Sequence, residues 1–593
     1  MKRIVPYFFL AAITFAVYAP ALRNGFVWDD TALILRDPLI RSWRLIPEGF
    51  QHFLFIDATA SDFFRPIQRL TYTLDYAAFG FAPSGYHFTS IAWHIAATLA
   101  FLLLGQELLS LFGMEEKKRR CVAFLAALAW GIHPLATSAV VYVSGRADPL
   151  MATFGFLGLF YGIRSLQAAG LRRWSLLVAT GTLFLLSALS KEAGLIFPLL
   201  WGAILIAQKR WHQLLPATVA ALFILATYFS LRLGAEHIPP PTLHPPPPML
   251  VRPIIAARAV AEYFGIILLP TNLHMERNVE TQPKGVGVSR ADWAARRELQ
   301  TLLGVILIGG MIYWFVRSRR VNPDTACTLL LALIAYLPIS GAFPLNATVA
   351  EHWLYLPTAF LFLAGMLTIT RLNLPGALVG TVLVIWFGFL GARTWIRTFD
   401  WRDQRTFIER TIAHGGDTPR MWINLATVET SEGHLDSAKE ALNRALGQEP
   451  DQPLAIVHLA SIALRQGDFN TARELLNRAV NMPLVNARAY ELLAMVDQKE
   501  KGELNLLKLH LATQTGPPNW SIERRYLQAL NQGGATTRAI DELRSMLVTQ
   551  WYRAESWQLL SDLLKQTGQS KEAADALARA RAYDVRLDEH LSP

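Results

Sequence analysis

Hydrophobic residues fill the first two-thirds of the chain in long runs, and the last third changes to a shorter amphipathic rhythm. Apolar runs lie near residues 5–22, 88–109, 121–141, 149–166, 174–189, 192–208, 213–233, 299–316, 327–344, 353–370 and 374–392. Each reaches or approaches the ~18 residues that let a helix cross a bilayer, so the pattern predicts about eleven spans. Residues 254–270 are apolar enough to be another, but Arg258 and Glu262 interrupt them. They read as a surface or re-entrant segment. Residues 23–86, between the first two runs, are too polar to span. Phe50, Phe53, Phe55, Phe63 and Phe64 there predict short helices in the membrane interface. The prolines from Pro239 to Pro248 mark a stiff spacer within a loop over 234–298.

After about residue 400, apolar positions recur with a period of roughly 34 residues. Trp422, Leu425, Gly433, Ala438, Leu442, Ala445 and Pro450 fall on the positions of a tetratricopeptide repeat. Ile456, Leu459, Gly467, Ala472, Leu476 and Ala479 repeat the offsets, and weaker units follow near Tyr490, Gly534 and Trp557. The small residues let paired helices approach, and the glycines close their turns. Roughly five such units predict a short solenoid with a concave peptide-binding face. The predicted fold is therefore all-α. A polytopic membrane bundle covers 1–400, with a first outer loop at 23–86, and a tetratricopeptide-repeat α-solenoid covers 415–590.

A composition 52% hydrophobic agrees with this division, and charge orients it. The net charge of +10 could point to nucleic acid, but the basic residues sit in short turns between spans: Lys117 to Arg120, Arg172-Arg173, Lys209-Arg210 and Arg317 to Arg320. That is the signature of cytoplasmic loops, so nucleic-acid binding is excluded. Lys2-Arg3 ahead of the first run puts the N-terminus inside, as an uncleaved anchor. With 254–270 not crossing, the repeats fall outside, on the non-cytoplasmic face. Cys121 and Cys327 both start spans near the inner face, which argues against a disulfide. Asn346-Ala347-Thr348 matches a glycosylation sequon but abuts a span.

Candidate chemistry gathers at the outer ends of the spans. Asp29-Asp30 follows the first span directly, where carboxylates near hydrocarbon need a cavity, a cation or a task. Asp30 can equally cap a helix over Thr31 to Ile34. Phe64-Arg65-Pro66, Gly85-Tyr86-His87, His133-Pro134, Gly145-Arg146-Ala147-Asp148, Ser190-Lys191-Glu192 and Glu351-His352-Trp353 lie at other outer ends. Each has a structural reading as well: a turn, a cap, a hydrogen-bonded histidine. No His/Cys/carboxylate spacing marks a metal site, although paired carboxylates such as Asp29 and Asp30 suit Mg²⁺ or Mn²⁺.

Together with Phe26-Val27-Trp28 before the acids and Leu354-Tyr355-Leu356-Pro357 after Trp353, this ordered set resembles the TMTC family. These are transmembrane, tetratricopeptide-repeat O-mannosyltransferases of the GT-C class. Thr137-Ser138 departs from the pattern, because an acidic residue is expected at Ser138. The resemblance implies inverting transfer of mannose or another hexose from a polyprenyl-phosphate donor to a protein Ser/Thr hydroxyl, outside the cytoplasm. Asp29 or Asp30 would take the acceptor proton. Arg65, Arg146 and Lys191 would hold the phosphate, and the growing charge on it in the transition state. His87, His133, Asp148, Glu192, Glu351 and His352 would complete the donor site. The repeats would gather the protein acceptor, so that removing 415–593 weakens acceptor use while sparing donor binding. Two rival readings are a transferase acting on an envelope glycan or lipid, and a non-catalytic membrane scaffold for which eleven spans would be superfluous.

Overall fold

The computed structural model describes residues 4–56, 61–236, 248–277, 279, 290–342, 347–482 and 484–591. Lys2-Arg3, Asn346 and all but Pro248 of the proline run fall outside the described residues. Among those described, no strand forms, and the only β pairing is two isolated bridges. The chain divides into two compact units. One comprises 1–27, 83–233 and 244–416; the other comprises 28–82, 234–243 and 417–593.

In the first unit the described residues of each predicted apolar run are mainly helical. Among the described residues, seven helices are long and apolar enough to cross a membrane: Val5–Arg23, Pro83–Ser110, Gly170–Ser190, Trp211–Gly234, Ala295–Val321, Glu351–Ile369 and Gly376–Trp401. Glu116–Gly131 and Pro134–Val140 would make an eighth if their 51° bend lies within one span. Length and composition thus give seven or eight spans against the eleven predicted. The difference has local causes. Pro134 interrupts one run, the charged pair Lys191-Glu192 separates two others, and Glu192–Ala207 and Pro323–Ile339 are shorter apolar helices. Ala147–Ser165 carries Asp148 and Arg164 in its first and last turns. The ambiguous segment is one helix, Arg252–Leu268, whose Arg258 is buried against Thr301 (2.8 Å) and Glu298 (2.9 Å).

Burial separates the inner helices from the outer ones. Trp211–Gly234, Ala295–Val321 and Gly376–Trp401 bury only 11%, 6% and 6% of their apolar windows. Such surfaces suit hydrocarbon rather than water. Pro83–Ser110, Ala147–Ser165 and Glu351–Ile369 form the inside of the bundle. Close approach there depends on glycine: a Cβ on Gly155 would lie 2.0 Å from Phe197 Cζ, and one on Gly158 would lie 2.6 Å from the Phe184 ring.

The second unit contains five helix pairs whose first helices begin at Pro419, Pro453, Asn486, Trp520 and Ala554. Their facing positions carry the predicted small and branched residues. Ala438, Leu442, Ala445, Ala472, Leu476, Ala479 and Ala539 are all fully buried. Gly467 closes the second pair in the left-handed region (φ +81°), which costs a residue with a Cβ about 1–2 kcal/mol.

Residues 28–82 of the first outer loop belong to this same unit, whereas its two ends, 23–27 and 83–86, belong to the first. Leu39 and Leu45 pack with Tyr552, and His52 meets the Tyr552 ring edge-on. Ser42 Oγ donates to Ala582 O at 2.9 Å, and Val585 N donates to Arg41 O at 3.1 Å. Of the phenylalanines at 50, 53, 55, 63 and 64, Phe50, Phe55 and Phe63 are partly exposed. Phe53 and Phe64 are buried against each other with ring centres 5.6 Å apart, ahead of the helix Pro66–Phe79. Arg69 ties the loop together from within. It is 2% exposed and bonds Asp37 (3.0 Å), Gly49 O (2.9 Å), His52 O (2.9 Å) and Phe53 O (2.7 Å). A buried guanidinium with its donors satisfied makes a specific junction.

Candidate active site

The approach to the acid pair is held rigidly in the first unit. After Pro20 the first span tightens into a 3₁₀ turn, Ala19–Arg23, and Asn24 leaves it extended. Asn24 Nδ2 then donates to Thr398 O (2.9 Å), and Gly25 N donates to Arg402 O (2.8 Å). His87 Nε2 lies 3.3 Å from Gly25 O, and Phe26 meets Tyr86 edge-on at 5.3 Å. His87 is therefore a clamp on the backbone that leads into the acids.

In the second unit, Trp28 takes φ +51°, a conformation rare for a bulky residue. A single π-helical turn, Thr31–Leu35, follows, with Arg36 N donating to Thr31 O at 3.2 Å. Asp29 O receives both Ala32 N (3.0 Å) and Leu33 N (2.9 Å). Asp30 has helical torsions, makes no side-chain cap bond and is wholly buried. The capping reading therefore fails: the side chain that should meet the N–H groups of a helix start does not do so. A left-handed tryptophan and a π turn on either side of two acids are two costly local features, of a kind that collects at functional sites. Arg65, in the same unit, precedes Pro66 and sits over the Phe63 ring at 4.5 Å, partly exposed.

The other predicted residues lie in the first unit. Lys191 Nζ bonds Asp148 Oδ1 at 2.6 Å with both side chains largely buried, joining two predicted motifs. Glu192 opens the next 3₁₀ turn and is half-buried. Arg146 is fully buried and bonds Ser90 Oγ (3.0 Å), Tyr86 O (2.7 Å) and Thr89 Oγ1 (2.8 Å). Those contacts fasten it to the helix Pro83–Ser110. His133 is also sequestered: its Nε2 lies 2.9 Å from Ile267 O, and its Nδ1 accepts from Leu135 N. Both ring nitrogens are thus engaged inside the protein, as in the hydrogen-bonded reading of this histidine.

Glu351 is fully buried, with Arg397 at 3.4 Å and Arg277 at 3.9 Å. Arg397 also holds Asp400 at 2.8 Å, and Arg277 pairs with Glu262. Burial, together with Arg277 and Arg397, pushes the nearby His274 imidazole down to about 3, so it is neutral. His352 is half-buried, its ring 6.2 Å from Trp353. The partners of Glu351 were not foreseen. Only the i, i+3 spacing of Arg397 and Asp400 hinted at them. Among the described residues, no group of three or more His, Cys, Asp or Glu gathers as a metal cluster would.

Comparison with known proteins supplies a context for this geometry. A tetratricopeptide-repeat family profile matches residues 429–496. A protein O-mannosyl-transferase of Caenorhabditis elegans is 24% identical over 443 residues, covering 73% of this chain and 61% of that one. The mouse protein O-mannosyl-transferase TMTC3 is 22% identical over 472 residues, 72% of this chain and 49% of its own. The chain thus spans about half to three-fifths of these relatives. Among solved structures, the repeat protein MamA covers 30% of this chain at 16% identity (TM-score 0.23). ArnT from Cupriavidus metallidurans, bound to undecaprenyl phosphate, covers 83% at 14% identity (TM-score 0.36). Over most of its length, the chain is similar to the protein O-mannosyl-transferases of the TMTC family.

Proposed function

We propose that this protein is a multi-pass membrane glycosyltransferase. It transfers a sugar, mannose or another hexose, from a polyprenyl-phosphate donor to a Ser/Thr hydroxyl of a protein, with inversion, on the non-cytoplasmic face. The observation that carries this reading is Asp30: a carboxylate buried after a left-handed Trp28 and not used as a helix cap.

An acceptor hydroxyl is a weak nucleophile. One carboxylate of the pair takes its proton as the oxygen attacks the anomeric carbon, and the lipid phosphate leaves as an anion that needs no strong acid. Arg65 holds that phosphate by its fork and stabilises the charge arriving on it. In the first unit we assign donor recognition to the Asp148–Lys191 pair, Glu192, Glu351 and His352. Support for Glu351 comes from buried polar atoms around it. Its Oε1, Arg277 Nε, Arg397 Nε and His274 Nδ1 have no hydrogen-bond partner among the described residues. Arg146 and His87 act by holding the segments that carry the site. The repeats bind the protein acceptor.

Asp29→Asn and Asp30→Asn test the assignment. An amide keeps the shape and cannot accept the proton, and loss of general-base catalysis lowers rates about 10²–10⁴-fold. The expected result is such a loss in one variant or both, measured as transfer from a polyprenyl-phosphate mannose by purified protein at unchanged thermal stability. Near-full activity in both variants removes the pair from the reaction and returns the scaffold reading.

A further inference from the structure

The contact between the first outer loop and the last repeat continues, residue by residue, to the acid pair. At the end of the helix Ser570–Tyr583, Asp584 turns extended and is buried. Its Oδ1 receives the Tyr76 hydroxyl at 2.8 Å and Arg586 N at 2.9 Å. Tyr76 is wholly buried, and burial raises its phenol above the ordinary range, so it remains a protonated donor. Over its ring, 4.9 Å from the centre, lies the guanidinium of Arg41, which also covers Phe81 at 4.3 Å. Arg41 Nη2 donates to Leu35 O at 2.6 Å. Leu35 is the last residue of the π turn that begins directly after Asp30.

We infer that Asp584, Tyr76 and Arg41 form a positioning relay through which the last repeat fixes the π turn carrying Asp30. The physical need for it is local. A lone π turn is rare, and the carbonyls at its end lack helical partners, so it keeps its shape only where tertiary contacts impose it. Arg41 meets the Leu35 carbonyl with a positive charge, the favourable sign at a helical C-terminus. Its own backbone is pinned by Val585 N at 3.1 Å, so the turn is referenced to the repeat domain. A base must stand within hydrogen-bonding reach of the proton it takes, and a displacement near 1 Å can cost about 10²-fold in rate. The last repeat therefore belongs to the catalytic apparatus as well as to acceptor binding. This rests on the reading of Asp29 or Asp30 as the base.

The test uses the full chain in detergent and two readouts. Tyr76→Phe keeps the ring and removes the hydroxyl, Asp584→Asn removes the charge, and Arg581→Gln alters an exposed site on the helix Ser570–Tyr583 that precedes Asp584. In the first two variants, amide hydrogen exchange of residues 31–36 is expected to rise roughly ten- to a hundredfold, the scale of losing one hydrogen bond to a charged group. Their kcat for transfer from polyprenyl-phosphate mannose should fall with donor KM unchanged, and Arg581→Gln should do neither. Unchanged exchange at 31–36 in both variants overturns the relay. Raised exchange with unchanged kcat overturns its positioning role. Raised exchange in a protein whose wild type transfers no lipid-linked sugar leaves the relay standing and defeats the proposed function instead.

Discussion

The Tyr76 hydroxyl donates to the Asp584 carboxylate at 2.8 Å, across 508 residues of chain. A bond between a loop following the first span and the end of the last repeat requires both to lie on one side of any membrane the spans cross. Cysteines placed at Asp62 and Lys571, both exposed, should react with an impermeant thiol reagent from the same side of sealed vesicles. One at Arg119 should react from the other, by the distribution of basic residues. Labelling of positions 62 and 571 from opposite sides would falsify the arrangement.

The same contacts change what a truncation should do. Deleting 417–593 removes the Tyr552 contacts of Leu39, Leu45 and His52 and the Asp584 bond of Tyr76, so the loop bearing Asp29 and Asp30 should become a protease target. Transfer should be lost even to a short peptide acceptor that needs no repeats. A truncated protein that still glycosylates such a peptide at the wild-type rate would show the two halves to be separable.

Asp148 and Lys191 form a pair with side chains 5% and 11% exposed. Removing one partner of a buried pair leaves an uncompensated charge and costs about 3–5 kcal/mol, whereas removing both costs far less. Lys191→Met alone should therefore lower the unfolding temperature more than Asp148→Asn with Lys191→Met. Thermal unfolding of wild type, Asp148→Asn, Lys191→Met and the double variant in detergent measures this coupling, and additive effects would argue against it.

Gly155 faces Phe197 with no room for a side chain. Overpacking of this kind costs about 1–3 kcal/mol. Gly155→Val should be destabilising, and Gly155→Val with Phe197→Ala should recover part of the loss. Equal stability of Gly155→Val and the wild type would mean the two helices separate more easily than their packing implies.

In the repeats, Asp497 is raised by burial but lowered more by bonds from Lys508 (2.6 Å), Arg473 (2.9 Å) and Asn505 (3.0 Å), and ends at about 2. Its folded pKa lies below the unfolded value near 3.9, so its contribution is fully present above pH ~4 and is lost as pH falls toward 2. The stability gap between wild type and Asp497→Asn should narrow across that window in urea titrations followed by tryptophan fluorescence. A gap independent of pH would assign the contribution to shape rather than charge.

Periodicity is a local property, and what depended on it was legible. Apolar runs marked helices, and the recurring alanines and glycines from Gly433 to Ala580 marked five helix pairs, because a helix face is set by residues three or four apart. The ordered motifs also identified the relatives that the chain resembles. The number of spans was less legible, since a bend at Pro134 or a break at Lys191-Glu192 changes the length of a helix more than its composition. Tertiary structure alone decided the rest. Asp30 reads as a cap from its neighbours, but its torsions follow from the left-handed Trp28 before it and the π turn after it. His133 reads from the sequence as either a donor-site or a hydrogen-bonded histidine, and only the fold brings Ile267 to one of its nitrogens. Glu351 gains its charged neighbours from Arg277 and Arg397, and Tyr76 meets Asp584, through closures of chain with no sequence period. These contacts are hydrogen bonds and ion pairs between distant segments, strengthened where water is excluded, and no single stretch of residues can make them.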